Sequence, residues 1–186
     1  MTSLAFAGAG WVTAVHGLAV DALDHVRVVH VASRRNASAG RRAEQTGAAV
    51  CRYDELPSGA DAVVVATPPA LHRREAARAV DGGAAALVES PLAATLDDAD
   101  QIVALADRGP VVYAENLVHS PVVAEAVQAC RRIGELTHLE VRFTQGRPDG
   151  GPQRLEPPER DGNLRDVSIR APCLPMRSGR RSGDRP

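Results

Sequence analysis

The chain has 186 residues, which as a prior is about one domain with a fragment of a second. Apolar residues make up 44% of it and aromatics only 3%, so it can build a core, and that core must be mostly Ala, Val and Leu. A formal net charge of −1 excludes a general electrostatic pull toward nucleic acid or anionic membrane.

Residues 3–7, "LAFAG", read as a short buried strand, and "WVTAVHGLAVDAL" after it is helical. "HVRVVHVAS", 25–33, is β-branched and strand-like. "NASAGRRAEQTG" predicts a helix with an Asn36 cap and a stop at Gly47. "AAVCR" is a brief strand and "DAVVVAT", 61–67, a stronger one. "PALHRREAARAVDGG" is a helix with Pro near its start and Gly at its end. "AAALVE" is a strand, "TLDDADQIVALADRG" a helix with a Thr95 cap, and "PVVYAE" a sixth strand. Near-continuous apolar strands alternating with helices predict a doubly wound parallel sheet, an α/β domain of Rossmann type over 1–118. From 119 to 186 the pattern changes. "SPVVAEAVQACRRIG" is a helix and "THLEVRFTQ" alternates like a strand with one wet face. From about 147 the chain is rich in Pro, Gly and Arg and is expected to be disordered. This stretch reads as the remnant of a truncated α+β second domain.

The turn "GAGWVT" joins the first strand to the first helix. It has the context of the dinucleotide fingerprint G-x-G-x-x-G/A, with Thr13 in the third glycine's place. Gly8 permits the tight turn, Gly10 lets the backbone approach a pyrophosphate, and Trp11 and Val12 begin the helix whose N–H groups face an anion. An ordinary strand-to-helix turn is the plain alternative. Thr13 is bulkier than glycine and is expected to hold the helix slightly off the sheet.

The second strand ends in Ser33-Arg34-Arg35. An acidic residue there would bind the adenosine ribose hydroxyls and select NAD. A hydroxyl and a guanidinium instead suit a 2′-phosphate, through Ser33 and Arg34. The expected cofactor is therefore NADP, with NAD as the alternative; a solvated basic loop is the bland reading.

Taken together, "FAGAGWVTAVHGLA", "AVVVATPPALHRREAARAV", "LVESPLAATLDDADQIV" and "NLVHSPVVAEAVQACRRIGELTHLEVRF" resemble the Gfo/Idh/MocA family of NAD(P)-dependent oxidoreductases. The resemblance covers most of the chain. It implies hydride transfer between NADP(H) and a sugar-like or small alcohol or carbonyl substrate. It further implies that Thr67 and Pro68 line the nicotinamide ribose, and that Glu89 and Pro91 belong to a Glu-Lys-Pro motif; a shaped turn there would require a cis Ser90–Pro91 bond, with a trans loop as the alternative. Ser90 stands where that motif carries its lysine, a residue that assists proton transfer at the reacting hydroxyl. Within "DGNLRDVSIR", Asp166 matches a family aspartate, while Ser168 replaces a glycine and Arg170 the catalytic histidine. The alternative is therefore a catalytically inactive nucleotide-binding remnant.

Other residues divide between roles. His72 could reach the cofactor or simply pack. Glu115 and Asn116 follow the sixth strand, where the resemblance implies polar groups near the cofactor. His16 reads as a packing residue, and the arginine pairs 41–42, 73–74 and 131–132 as solvated helix faces. No histidine spacing suits a metal. Ser90 lacks a G-x-S-x-G elbow, so a serine nucleophile is not expected. Cys51, Cys130 and Cys173 are odd in number and widely spaced, which predicts a reducing, cytoplasmic setting. The N-terminus has no basic region and only a short apolar run, so neither a signal peptide nor a membrane span is expected. The expected partners are a dinucleotide and a small-molecule substrate, with no nucleic acid or membrane, and a homo-oligomer stays open.

Overall fold

A computed structural model of the chain describes residues 1–133. The expected strand over 137–145, the tail from 147, Asp166 and Arg170 lie outside the described residues. The chain divides into two compact units, Met1–Ala114 and Glu115–Pro186.

The first unit carries six parallel strands: β1 (Thr2–Ala7), β2 (Val26–Ala32), β3 (Ala49–Cys51), β4 (Ala62–Val65), β5 (Ala85–Glu89) and β6 (Val111–Ala114). Helices α1 (Trp11–Asp21), α2 (Asn36–Thr46), α3 (His72–Asp81) and α4 (Leu96–Ala104) lie between them. The strand order is β3-β2-β1-β4-β5-β6. That order reverses direction between β1 and β4, and open α/β sheets bind ligands at the strand ends beside such a switch point.

Strand alternation explains why both faces are covered. Phe6 of β1 and Val64 of β4 pack on one face with Val28, Val31, Ala39 and Ala43. Their neighbours Ala5, Ala7, Val63 and Val65 turn to the other, against Ala76, Ala79 and Ile102 of α3 and α4. Burying a valine stabilises by roughly 1.5–3 kcal/mol, so the Val63-Val64-Val65 run anchors the centre of the sheet. The core is built from Ala and Val more than from Leu. Leu56 and Leu105 are buried, whereas Leu18 and Leu96 are 72% and 86% exposed. Alanines on the inner helix faces let the helices approach the sheet closely.

Two local expectations are corrected. The helix α2 begins at Asn36 itself, and its cap position is Arg35 with no side-chain cap bond. An extended Arg35 leaves Asn36 already helical, so its side chain no longer stands where a cap must. The 73–74 pair is not simply a solvated face either, whereas Arg131 and Arg132 are exposed. Arg73 pairs with Asp98 at 2.6 Å, and Arg74 and Arg78 both clasp the buried Glu75, at 2.7 and 2.6 Å. The Thr95 cap is present, its hydroxyl accepting from Asp98 N–H at 3.1 Å. Gly47 ends α2 at φ +67, as a left-handed stop requires.

In the second unit a short 3₁₀ turn, Asn116–His119, precedes α5 (Pro121–Ile133). The Glu115 carboxylate accepts from Leu117 N–H at 3.1 Å and so caps that turn. No described helix is long and apolar enough to cross a membrane.

Candidate functional site

The glycine-rich turn after β1 and the end of β4 lie side by side at the switch point. Gly8 leaves β1 at φ +122, and its N–H donates to the Ala32 carbonyl at 2.8 Å. A Cβ on Gly8 would lie 2.3 Å from the Ala66 carbonyl oxygen at the end of β4. Only glycine permits that approach, on both conformational and steric grounds. Gly10 differs. A Cβ there would meet nothing within 4 Å, so its front opens onto empty space at the head of α1. The first turn of α1 carries no acidic side chain to neutralise its positive end. Trp11 is 56% exposed at the first helical position.

Thr13 is fully buried. Its hydroxyl donates to the Gly10 carbonyl at 2.7 Å. Arg42, on α2, reaches the same turn. Its Nε donates to Thr13 Oγ1 at 3.2 Å and one Nη to the Gly10 carbonyl at 3.1 Å. Burial pushes the Arg42 pKa down, though an arginine remains charged. This corrects the solvated reading for Arg42, while Arg41 is exposed. Nothing in the pattern of a polar helix distinguishes an arginine that reaches a neighbouring turn from one that reaches water.

At the end of β2, Ser33 is half-buried and Arg34 exposed. No carboxylate occupies that strand end. Tyr53, which the sequence reading passed over, lies close by. Burial first, and then the Glu75 carboxylate, push its phenol pKa up, against the pull of the Arg34 and Arg74 charges and the Arg34 backbone. Thr67 ends β4 across the switch point. It is 8% exposed, and its hydroxyl finds no hydrogen-bond partner among the described residues. An unsatisfied buried hydroxyl at the ligand edge of a sheet fits a group that a ligand completes.

The motif Glu89-Ser90-Pro91 closes β5, and the Ser90–Pro91 peptide is cis, as expected of a shaped turn. Glu89 holds two elements together. One oxygen meets His16 Nε2 of α1 at 2.6 Å, and the other accepts the Ser90 N–H at 3.1 Å. His16 therefore does more than pack, although it also lies against the Phe6 ring. The Ser90 hydroxyl lies 3.0 Å from the Tyr113 hydroxyl of β6. His72 is 1% exposed. Its Nε2 sits 2.7 Å from the Thr67 carbonyl and its Nδ1 3.2 Å from that of Leu92. Burial is the largest influence on it and holds its pKa below the ordinary value. A neutral ring can donate to only one of those carbonyls, and the shorter contact makes Nε2 the donor. His72 thus ties the ends of β4 and β5 together and offers the cofactor no open nitrogen. Pro68 is the cap position of the 3₁₀ turn Pro69–Leu71 before α3.

A family model described as "Oxidoreductase family, NAD-binding Rossmann fold", the Gfo/Idh/MocA model, matches residues 2–117. A dTDP-3,4-didehydro-2,6-dideoxy-alpha-D-glucose 3-reductase of Streptomyces antibioticus is 34% identical over 151 residues, covering 77% of this chain and 46% of that protein. The enzyme of the same name from Streptomyces violaceoruber is 37% identical over 128 residues, covering 64% of this chain and 37% of its own. Among solved structures, GenD2 from gentamicin A biosynthesis, in complex with NAD, superposes with a TM-score of 0.65 at 30% identity, over 69% of this chain and 38% of that one. The chain thus spans about half the length of the curated relatives it matches.

Proposed function

This chain belongs to the Gfo/Idh/MocA oxidoreductase family, and from that premise we propose that it binds NADP(H) and serves hydride transfer to or from a sugar-like carbonyl or alcohol. The observation that carries the cofactor reading is the Gly8–Ala66 crossing beside an open Gly10, with the Thr67 hydroxyl buried opposite. Backbone N–H groups at the head of α1 face the pyrophosphate. Ser33 and Arg34 take the 2′-phosphate, in the absence of the carboxylate that a ribose diol would need. Thr67, Pro68, Glu89 and Pro91 complete the cofactor contacts. When bound, the cofactor supplies or accepts the hydride. The substrate class is suggested by the relatives, named as reductases of a dTDP-linked didehydro sugar.

A second reading has its own observation. Hydride addition to a carbonyl also needs a proton at the oxygen, and Ser90 bonds to Tyr113 where the family motif carries a lysine. A serine hydroxyl is not an acid or base near neutrality. This favours a chain that binds the dinucleotide and turns over little.

The experiment is NADPH and NADH consumption by the purified chain across a panel of small carbonyls and a dTDP-linked keto sugar, with Arg34→Ala beside the wild type. The proposal expects NADPH to be preferred and Arg34→Ala to erase that preference, a loss of roughly tenfold or more for a charge-assisted contact. Equal use of the two cofactors would sink the NADP assignment. Saturable cofactor binding with no turnover of any carbonyl would establish the second reading.

A further inference from the structure

The Gly10 carbonyl accepts two side-chain hydrogen bonds, one from Thr13 and one from Arg42, in a turn whose third glycine is missing. We infer that Arg42 and Thr13 form a clamp that sets the direction of the Trp11 N–H, and thereby the pyrophosphate-binding geometry of the turn. The inference rests on the cofactor reading above and deepens it. A trans peptide is planar, so fixing the Gly10 carbonyl fixes the Trp11 N–H on the opposite side. That N–H is at the first position of α1 and has no partner inside the helix. It is a donor available to an anion, and its aim depends on the clamp.

Arg42 is suited to the task. A guanidinium has five N–H donors in a rigid fork. Here Nε holds the Thr13 hydroxyl, one Nη holds the Gly10 carbonyl, and the other Nη donates to Gln45 Oε1 at 2.5 Å. Gln45 and Thr13 thus fix the fork from two sides. Among the described residues no carboxylate pairs with Arg42, so its charge is left uncompensated near the turn. On the opposite face of the sheet, Arg73, Arg74 and Arg78 of α3 each have an acidic partner, as does Arg108. The Thr13 hydroxyl is donor to Gly10 and acceptor from Arg42, so it transmits the arginine's position to the carbonyl. In a turn with a third glycine that link would be absent.

Arg42 is therefore a positioning residue for the pyrophosphate, distinct from Arg34 at the 2′-phosphate. The two make different predictions. Loss of Arg34 weakens ligands carrying a 2′-phosphate. Loss of Arg42 weakens ligands carrying a pyrophosphate, whether or not they carry the 2′-phosphate.

Trp11 is the only tryptophan in the chain and sits in the turn itself, so its fluorescence reports binding locally. Wild type, Arg42→Gln, Arg42→Lys and the near-isosteric Thr13→Val are titrated with NADPH, NADH and adenosine 2′-monophosphate, which lacks the pyrophosphate. The expected result is a roughly tenfold weaker affinity of Arg42→Gln for both dinucleotides. Thr13→Val should lose less, Arg42→Lys should recover part of the loss, and adenosine 2′-monophosphate should bind all four proteins alike. Unchanged dinucleotide affinity in Arg42→Gln overturns the clamp. So does an equal loss for adenosine 2′-monophosphate, which would mark a general collapse of the site. A wild type that binds neither dinucleotide defeats the cofactor reading first, and is recognised before any variant is compared.

Discussion

The two ends of the ligand edge of the sheet are built on different principles. Around β1, α1 and the end of β2, the working groups are backbone: the Gly8 crossing, the open Gly10 and the head of α1. Around β5 and β6 they are side chains: Glu89 between His16 and Ser90, and Ser90 against Tyr113. A backbone site survives most substitutions as long as the turn can form. A site made of side chains keeps its scaffold yet changes chemistry with one residue. The Glu89-Ser90-Pro91 corner shows this, because its carboxylate, its cis bond and its tie through His72 all stand around a serine.

The contrast is tested hardest at Gly8. Gly8→Ala places a methyl 2.3 Å from a backbone oxygen at a positive φ. Stability should fall by at least about 2 kcal/mol in chemical denaturation. A variant as stable as wild type would show that the β1–β4 crossing is looser than its geometry implies.

Ser90→Lys probes the other end. Under the proposed function, a positioned acid–base group is worth roughly 10²–10⁴-fold in rate. The lysine alone should restore far less than that, because it also breaks the Ser90–Tyr113 contact. Cofactor affinity should hold or rise slightly. A full recovery of turnover would locate the whole difference at this one residue.

A smaller effect lies in the staple between the two ends. His72 has a pKa depressed by burial, so the folded chain binds fewer protons there than the unfolded chain. Its contribution to stability is therefore present above the ordinary histidine pKa of about 6.5 and is lost as pH falls through it. Wild type should lose stability faster than His72→Gln between about pH 7 and 5. Parallel stability–pH curves would contradict the buried neutral ring. The smallest expected change is outside both ends: Thr95→Ala removes the α4 cap and should cost about 1 kcal/mol by the same denaturation measurement.

The sheet was legible in the sequence because each strand is a short apolar run of Val and Ala bounded by helices with the other period. Gly8, Gly47 and Thr95 could be read because the backbone demands those residue types locally, and Gly10 because of its place in the turn. Side-chain contacts between distant elements could not be read that way. Arg42 reaches from α2 to the glycine turn, and His16 meets Glu89 across 73 positions. No local pattern distinguishes those residues from a surface arginine or a packing histidine. Asn36 failed as a cap for a related reason: cap chemistry was present, but the backbone entered the helix one residue earlier.

The central claim is that the β1–α1 turn and the β2 end together bind NADP(H). It is tested most directly by thermal unfolding of the purified chain across a range of NADPH and NADH concentrations. A ligand at a hundred times its Kd stabilises by about 2.7 kcal/mol, so the melting temperature should climb with NADPH concentration and less steeply with NADH. A melting temperature unmoved by NADPH, or moved equally by both, would contradict the account.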